Sequence, residues 1–133
     1  MAQLLVPSSK PKKLHVIANP ASGRRIPLLQ MLNDTLRPHG INWDLSVTHK
    51  PGDGAQATKR ALEDGADMIA CFGGDGTVME VTDGLMGTDV PLLVLSGGTG
   101  NLVASELGVP RDVEKALGPV SYTHLTLPTI TEV

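Results

Sequence analysis

The chain has 133 residues, enough for one domain with a modest hydrophobic core. Its formal net charge of −3 argues against a nucleic-acid-binding protein, which would ordinarily present a basic face. The single cysteine excludes an intramolecular disulfide framework and a CxxC zinc site. No apolar run approaches the roughly 20 residues of a membrane-spanning helix. The 15 glycines are the excess to explain, because glycine is common where backbone turns sharply or approaches a ligand closely.

Predicted strands and helices alternate along the chain after a flexible, proline- and serine-containing leader at residues 1–13. The hydrophobic pattern predicts strands at 14–18, 43–47, 68–72 and 91–95, and helices at 27–36, 53–63, 77–85, 101–107 and 113–117, the last two separated by a turn at 109–110. We expect Asp53 to be the N-cap of the second helix and Gly65 its C-cap. Alternation with short glycine-rich links predicts an α/β fold, a Rossmann-like three-layer sandwich with a mostly parallel sheet.

Small-residue loops follow three of the four predicted strands, at 19–23, 73–77 and 96–101. Ligands of parallel sheets bind beyond the carboxyl ends of the strands, so these loops are expected to converge on one site. In 73–77, Gly-Gly-Asp-Gly-Thr, we expect the glycines to adopt positive φ and the amide groups to form an anion nest beside a helix N-terminus. A polyphosphate suits such a nest, and a purely structural turn is the alternative.

The other two loops add hydrogen-bond donors. Asn19 can donate from its amide and Ser22 from its hydroxyl, and Thr99 offers a second hydroxyl. Arg24 and Arg25 either neutralise phosphate charge or are ordinary surface residues.

Three motifs together resemble the diacylglycerol kinase catalytic domain family, the bacterial lipid kinases related to sphingosine kinases. They are NPASG at 19–23, GGDGTVMEV at 73–81 and GGTGNLVASELGVP at 97–110, and the resemblance covers nearly all of 14–117. GGDGT alone is shared with NAD kinases and, shortened, with phosphofructokinases. The other two motifs favour lipid kinases, and Met79-Glu80 departs from the asparagine–glutamate pair typical of NAD kinases. An NAD kinase-like enzyme and a non-catalytic nucleotide-binding fragment remain alternatives.

The resemblance implies an ATP-dependent lipid kinase that transfers the γ-phosphoryl group to a lipid hydroxyl such as that of diacylglycerol, giving phosphatidic acid. ATP and Mg²⁺ are the implied cofactors, and Asp75 is implied to support the phosphates or Mg²⁺, directly or through water. The implied ATP-binding residues are Asn19, Pro20, Ala21, Ser22, Gly23, Thr48, Gly73, Gly74, Asp75, Gly76, Thr77, Val78, Met79 and Thr99. The family usually has asparagine at position 79 and often proline at 96, where this chain has Met79 and Ser96.

The resemblance also bears on how the chain is organised. Residues 14–118 are interpreted as the ATP-binding domain, truncated at its C-terminal side, because the family's general base and direct Mg²⁺ ligands come from a second, β-rich domain. The fragment alone is therefore expected to be inactive. From residue 119 the pattern breaks, and VSYTHLTLPT at 120–129 resembles a translated sequencing-library adapter, so 119–133 is interpreted as a non-native tail rather than a terminal strand.

Location and partners follow from weaker signals. Without a signal peptide pattern the protein is expected in the cytoplasm, with peripheral contact at the inner face of the membrane open for the full-length enzyme. The expected partners are ATP and a lipid acceptor, with no nucleic acid.

Several reactive residue types are predicted to be structural. His15, His39 and His49 lack the spacing of a metal site. Cys71 is expected to be a buried, inert thiol. Glu80 and Asp83 are expected to be solvated or capping residues, with a supporting role at the site as the alternative. The methionines are expected mostly to fill the core.

Overall fold

A computed structural model describes residues 11–22 and 27–96, with Ser22 and Ser96 described by their backbone alone. Four parallel strands form the sheet: β1 Lys13–Ala18, β2 Asn42–Val47, β3 Met68–Gly73 and β4 Leu92–Ser96. Three helices connect them: α1 Leu28–Leu36, α2 Asp53–Glu63 and α3 Asp75–Leu85. Short 3-10 helices lie at Pro20–Ser22 and Arg37–His39. The predicted α/β fold is confirmed.

The strand order is β2-β1-β3-β4, with every neighbouring pair parallel. The chain leaves β1 toward one edge to form β2 and then returns to the other side of β1 to form β3. The gap between the carboxyl ends of β1 and β3 is therefore the topological switch point, where open α/β sheets bind their ligands.

The sheet has a hydrophobic cluster on each face. On the first face, Leu32 and Leu36 of α1 pack with Leu14 and Val16 of β1. On the second, α2 contributes Ala57 and Ala61, and α3 contributes Val78, Val81 and Leu85. All six residues of β3 are buried, as expected for a central parallel strand covered by helices on both sides. These two clusters give the three layers and hold the strand ends in register.

The glycine motif between β3 and α3 differs from the prediction. The helix begins at Asp75 rather than at Thr77, with the extended residue Gly74 as its N-cap. None of Gly73, Gly74 and Gly76 has positive φ, so that expectation was wrong. The strand runs through Gly73 in extended backbone and enters the helix without a left-handed turn.

The ends of α2 also differ in detail. Gly52, at φ +93°, is the N-cap, and Asp53 is the first helical residue, so the predicted Asp53 cap was wrong. At the other end Gly65 lies one residue beyond the C-cap, at φ +92°. Its N–H donates to Leu62 and that of Ala66 donates to Ala61, the bonding pattern of a Schellman motif.

Several predictions fall outside the described residues. These are the leader through residue 10, Gly23, Arg24, Arg25, Thr99, the helices at 101–107 and 113–117, the turn at 109–110 and the tail at 119–133. In the part of the chain that the structure describes, no helix is both long and apolar enough to cross a membrane.

Candidate functional site

Asn19 lies at the switch point and links the ends of three elements. Its backbone N–H donates to the carbonyl of Phe72 at 2.9 Å, which extends the β1–β3 pairing by one residue. Its side-chain Nδ2 donates to Oγ1 of Thr77 at 3.5 Å, and its Oδ1 accepts from the N–H of Ala21 at 3.0 Å. Asn19 thus fixes the turn after β1 and contacts the first turn of α3.

Thr48 brings the end of β2 to the same place. Its N–H donates to the carbonyl of Ala18 at 2.9 Å and its hydroxyl donates to the same oxygen at 3.4 Å. The residue is buried, and its position next to the end of β1 places it beside Asn19.

A cleft of about 250 Å³ opens between these strand ends and the start of α3. Its lining residues are Asn19, Ala21, Thr48, His49, Lys50, Pro51, Gly76, Thr77 and Glu80. Five of the predicted site residues are therefore brought together by the fold, and they come from three separate segments of the chain.

Two glycines of the Gly-Gly-Asp-Gly-Thr motif serve different packing purposes. A Cβ atom at Gly73 would lie 2.7 Å from Oγ1 and 2.9 Å from Cβ of Thr77, so Gly73 provides the space in which Thr77 packs. A Cβ atom at Gly76 would meet nothing within 4 Å, and this residue lines the cleft. Gly76 therefore leaves the cleft wall open beside the helix N-terminus.

The sequence model of the diacylglycerol kinase catalytic domain matches residues 13–129, nearly the whole chain. The chain belongs to the diacylglycerol kinase catalytic domain family. Lipid kinase YegS of Escherichia coli strain K12 is 35% identical over 106 residues, which cover 77% of this chain. A diacylglycerol kinase from Bacillus anthracis strain Sterne has a crystal structure that superposes with a TM-score of 0.69 at 29% identity over 85% of this chain.

The chain spans only part of its relatives. It covers 35% of the Escherichia coli protein and 43% of the solved Bacillus anthracis chain. A Streptococcus pneumoniae serotype 4 relative, 31% identical over 115 residues, is covered to 39% of its length.

Of the predicted site residues that the structure describes, the others are not in the lining of the cleft. Asp75 is the first residue of α3, where a carboxylate complements the helix dipole. Val78 is buried in the core, and its N–H donates to Gly74 within the helix. Met79 is 53% exposed and lies outside the lining, so the expectation that it fills the core was wrong. Pro20 is exposed, while Ser22 and Gly74 are placed by their backbone at the end of the 3-10 helix and at the N-cap of α3.

Glu80 is the site residue that the sequence reasoning undervalued. Its Oε2 accepts from the N–H of Gly52 at 3.1 Å and its Oε1 accepts from the N–H of Gly54 at 2.8 Å. The sequence could have indicated this position, because Glu80 follows Thr77 by three residues on a predicted helix and residues at i and i+3 share a face.

The segment after Thr48 is shaped by a second carboxylate. Oδ2 of Asp53 accepts from the N–H of His49 at 2.8 Å and from the N–H of Lys50 at 3.1 Å. The hydrogen bond from His49 is the main cause that lowers the pKa of the Asp53 carboxyl, and the bond from Lys50 adds to it. The loop therefore turns back on α2 and leaves the exposed His49 and Lys50 at the cleft.

Metal-binding and nucleophilic groups are scarce in the described regions 11–22 and 27–96. No group of three or more His, Cys, Asp or Glu residues there could hold a metal ion. Cys71 is fully buried in β3, and burial raises the pKa of its thiol, as expected for an inert residue. His15 lies in β1, within the predicted strand at 14–18, and its side chain is buried.

Proposed function

We propose that this chain is the ATP-binding part of a lipid kinase that transfers the γ-phosphoryl group of ATP to a lipid hydroxyl, such as that of diacylglycerol, to give phosphatidic acid. The observation that carries the proposal is the meeting of Asn19, Thr48 and Thr77 around one cleft at the switch point of a diacylglycerol kinase-family sheet. The family match favours this substrate class over NAD.

The residues around the cleft fit a nucleotide polyphosphate. Helix N-termini bind anions because their first N–H groups lack intrahelical acceptors and the helix dipole is positive there. The start of α3 lies beside the open wall at Gly76, where a phosphate could approach the backbone. Lys50 and His49 also line the cleft, and together with the side chains of Asn19 and Thr77 they supply hydrogen-bond donors.

Mg²⁺ fits this arrangement as an ion held mainly by phosphate oxygens and water. The described residues contain no cluster of ligands that would hold it alone. We propose that Asp75 supports it, directly or through water, since Mg²⁺ commonly binds through one or two carboxylates together with substrate phosphates. When bound, Mg²⁺ would neutralise charge developing on the transferred phosphoryl group.

Titration calorimetry with MgATP tests the nucleotide site. The 133-residue chain is expected to bind, and Asn19→Ala and Thr77→Ala are each expected to weaken affinity about tenfold or more, since a hydrogen bond to a charged group contributes about 1.5–3 kcal/mol. Asp83→Ala, an exposed change on α3 outside the cleft lining, is the matched control. An unaltered chain that gives no binding heat and no change in melting temperature with MgATP would contradict the proposal.

We also propose that the natural sequence of this chain runs through Gly118 and that 119–133 is non-native. The family match extends past Gly118 to residue 129, so the boundary needs a direct test. Resequencing the gene beyond the codon for Gly118 is expected to give a different continuation of roughly domain length. The same 15 residues found in an independent clone would contradict this boundary.

A further inference from the structure

Glu80 connects the lining of the cleft to the start of α2. It lies on α3 three residues after Thr77, and both residues line the cleft. Its two carboxylate oxygens accept hydrogen bonds from the N–H groups of Gly52 and Gly54, which follow the lining residues 48–51 in the chain, at 3.1 and 2.8 Å. Because both oxygens accept hydrogen bonds, the carboxylate is held between α3 and the start of α2.

These bonds anchor the start of α2. Gly52 is its N-cap and provides no side-chain cap, and Gly54 is the second residue of the helix. The first N–H groups of a helix lack intrahelical acceptors, and a negative charge beside them is favoured by the helix dipole. Hydrogen bonds to an ionised acceptor are roughly twice as strong as neutral ones. Glu80 is therefore a capping anion supplied by the neighbouring helix.

The backbone of α2 leaves room for this carboxylate. A Cβ atom at Gly54 would lie 2.8 Å from Oε1 and 2.9 Å from Cβ of Glu80, closer than packed atoms come. Glycine is unfavourable inside a helix compared with alanine, so a packing reason is needed for Gly54. The approach of Glu80 supplies that reason.

We propose that Glu80 is a positioning residue of the nucleotide cleft, which holds the 48–51 segment against α3 so that Thr48 and Lys50 face the same ligand as Thr77. The proposal rests on the proposed function, because it takes MgATP as that ligand. Glu80 acts through the loop, since both its oxygens are hydrogen-bonded to backbone N–H groups and an approach of its charge to phosphate would be repulsive.

The test combines MgATP titration calorimetry with amide hydrogen exchange measured by NMR on the 133-residue chain. Glu80→Ala is expected to weaken MgATP affinity about tenfold and to speed exchange at the amides of Gly52 and Gly54 by a similar factor. Glu80→Gln keeps one acceptor oxygen, so its MgATP affinity and its amide exchange rates are expected to lie between those of Glu80→Ala and the unaltered chain. Gly54→Ala keeps the Glu80 carboxylate but displaces it from the start of α2. This variant is also expected to bind MgATP more weakly than the unaltered chain.

Two controls separate positioning from loss of stability. Val81→Ala removes core contact from the same helix without altering a lining residue, and Asp83→Ala changes an exposed charge. Both are expected to bind MgATP as the unaltered chain does at a temperature where each is folded. The proposal would be overturned if Val81→Ala weakened MgATP affinity in proportion to its loss of stability and by as much as Glu80→Ala does.

The binding data also distinguish this proposal from the proposed function. If the unaltered chain binds MgATP and the Glu80 and Gly54 variants bind equally well, only the role of Glu80 is overturned. If the unaltered chain does not bind, both are overturned. If Glu80→Ala does not fold, the same measurements on Glu80→Gln and Gly54→Ala test the proposal.

Discussion

Gly73 and Gly76 are three residues apart in one motif, yet substitution should affect them differently. Gly73→Ala is expected to reduce the free energy of unfolding by about 1–3 kcal/mol, because its Cβ would collide with Thr77. Gly76→Ala meets no atom within 4 Å and is expected to leave stability unchanged or raise it by up to about 1 kcal/mol through helix propensity. Urea unfolding of both variants measures the difference.

The Gly76→Ala variant also distinguishes an effect on MgATP binding from an effect on stability. At Gly76 the added methyl group enters the cleft wall, so MgATP affinity is expected to fall although the fold is intact. Gly76→Ala with unaltered affinity would show that the phosphates do not approach this wall.

His15 should make stability depend on pH. Its Nε2 lies 2.7 Å from Oγ of Ser46, and its Nδ1 is buried with no hydrogen-bond partner in the described part of the chain. Burial lowers the pKa of His15, an effect opposed by the nearby charges of Asp44 and Asp64 and reinforced by that of Lys13. The unfolded chain, with a histidine pKa near 6.5, therefore takes up a proton more readily than the folded protein.

The stabilisation linked to neutral His15 is thus complete above about pH 7.5 and is lost as pH falls through 6.5 toward the lower folded pKa. The free energy of unfolding of the unaltered chain is expected to drop between pH 7.5 and 5.5. In His15→Gln this drop should be smaller. Urea unfolding at the two pH values provides the comparison, and equal drops in both proteins would assign the pH dependence to other groups.

At the scale of elements, α2 and α3 pack closely because small residues meet between them. A Cβ atom at Gly84 would lie 2.7 Å from Cβ of Thr58 and 3.0 Å from the carbonyl oxygen of Ala55. Backbone cannot move aside as a flexible side chain can, so Gly84→Ala is expected to destabilise the protein by about 1–3 kcal/mol in chemical denaturation. Gly76→Ala in the same helix provides the control, and similar stability of the two variants would contradict tight packing here.

The elements were predictable where hydrophobic pattern and burial agree. The run Met68–Phe72 is apolar at every position because both faces of the central strand are covered, and the strand was found within one residue. The errors lie at element ends, where the choice depends on contacts across space. Asp53 was expected to cap its own helix, but its carboxylate bonds the preceding loop, and Glu80 from another helix bonds the first turn instead.

The site was also predictable in part, from the topology of a parallel sheet. Parallel strand ends share one edge of a sheet, so Asn19 and Thr77 could be expected together, and they lie within hydrogen-bond distance. Which side of each helix faces the cleft could not be read from the motif. Val78 points into the core while Gly76 lines the cleft, because the helix begins two residues earlier than the glycines suggested.

At the scale of the whole molecule, the strand order determines where the cleft lies. The order β2-β1-β3-β4 places the switch point between the two central strands, where both sheet faces are covered and the cleft walls are fixed by core packing. On the proposed function, Asn19, Thr48 and Thr77 supply the nucleotide site from this sheet and its helices. Binding and catalysis are therefore expected to be separable.

Phosphoryl transfer needs a general base near the acceptor hydroxyl and a positioned metal as well as bound ATP. The proposed function gives this chain the ATP-binding part of the enzyme and assigns no general base to it. The chain also spans 35% of its Escherichia coli relative. With radiolabelled ATP and diacylglycerol, the 133-residue chain is expected on this proposal to bind nucleotide without producing labelled lipid. A chimera joining residues 1–118 to the remaining part of that relative is expected to restore turnover, and the same chimera carrying Asn19→Ala should lose most of it. Labelled lipid formed by the 133-residue chain itself would show that it contains a complete catalytic site.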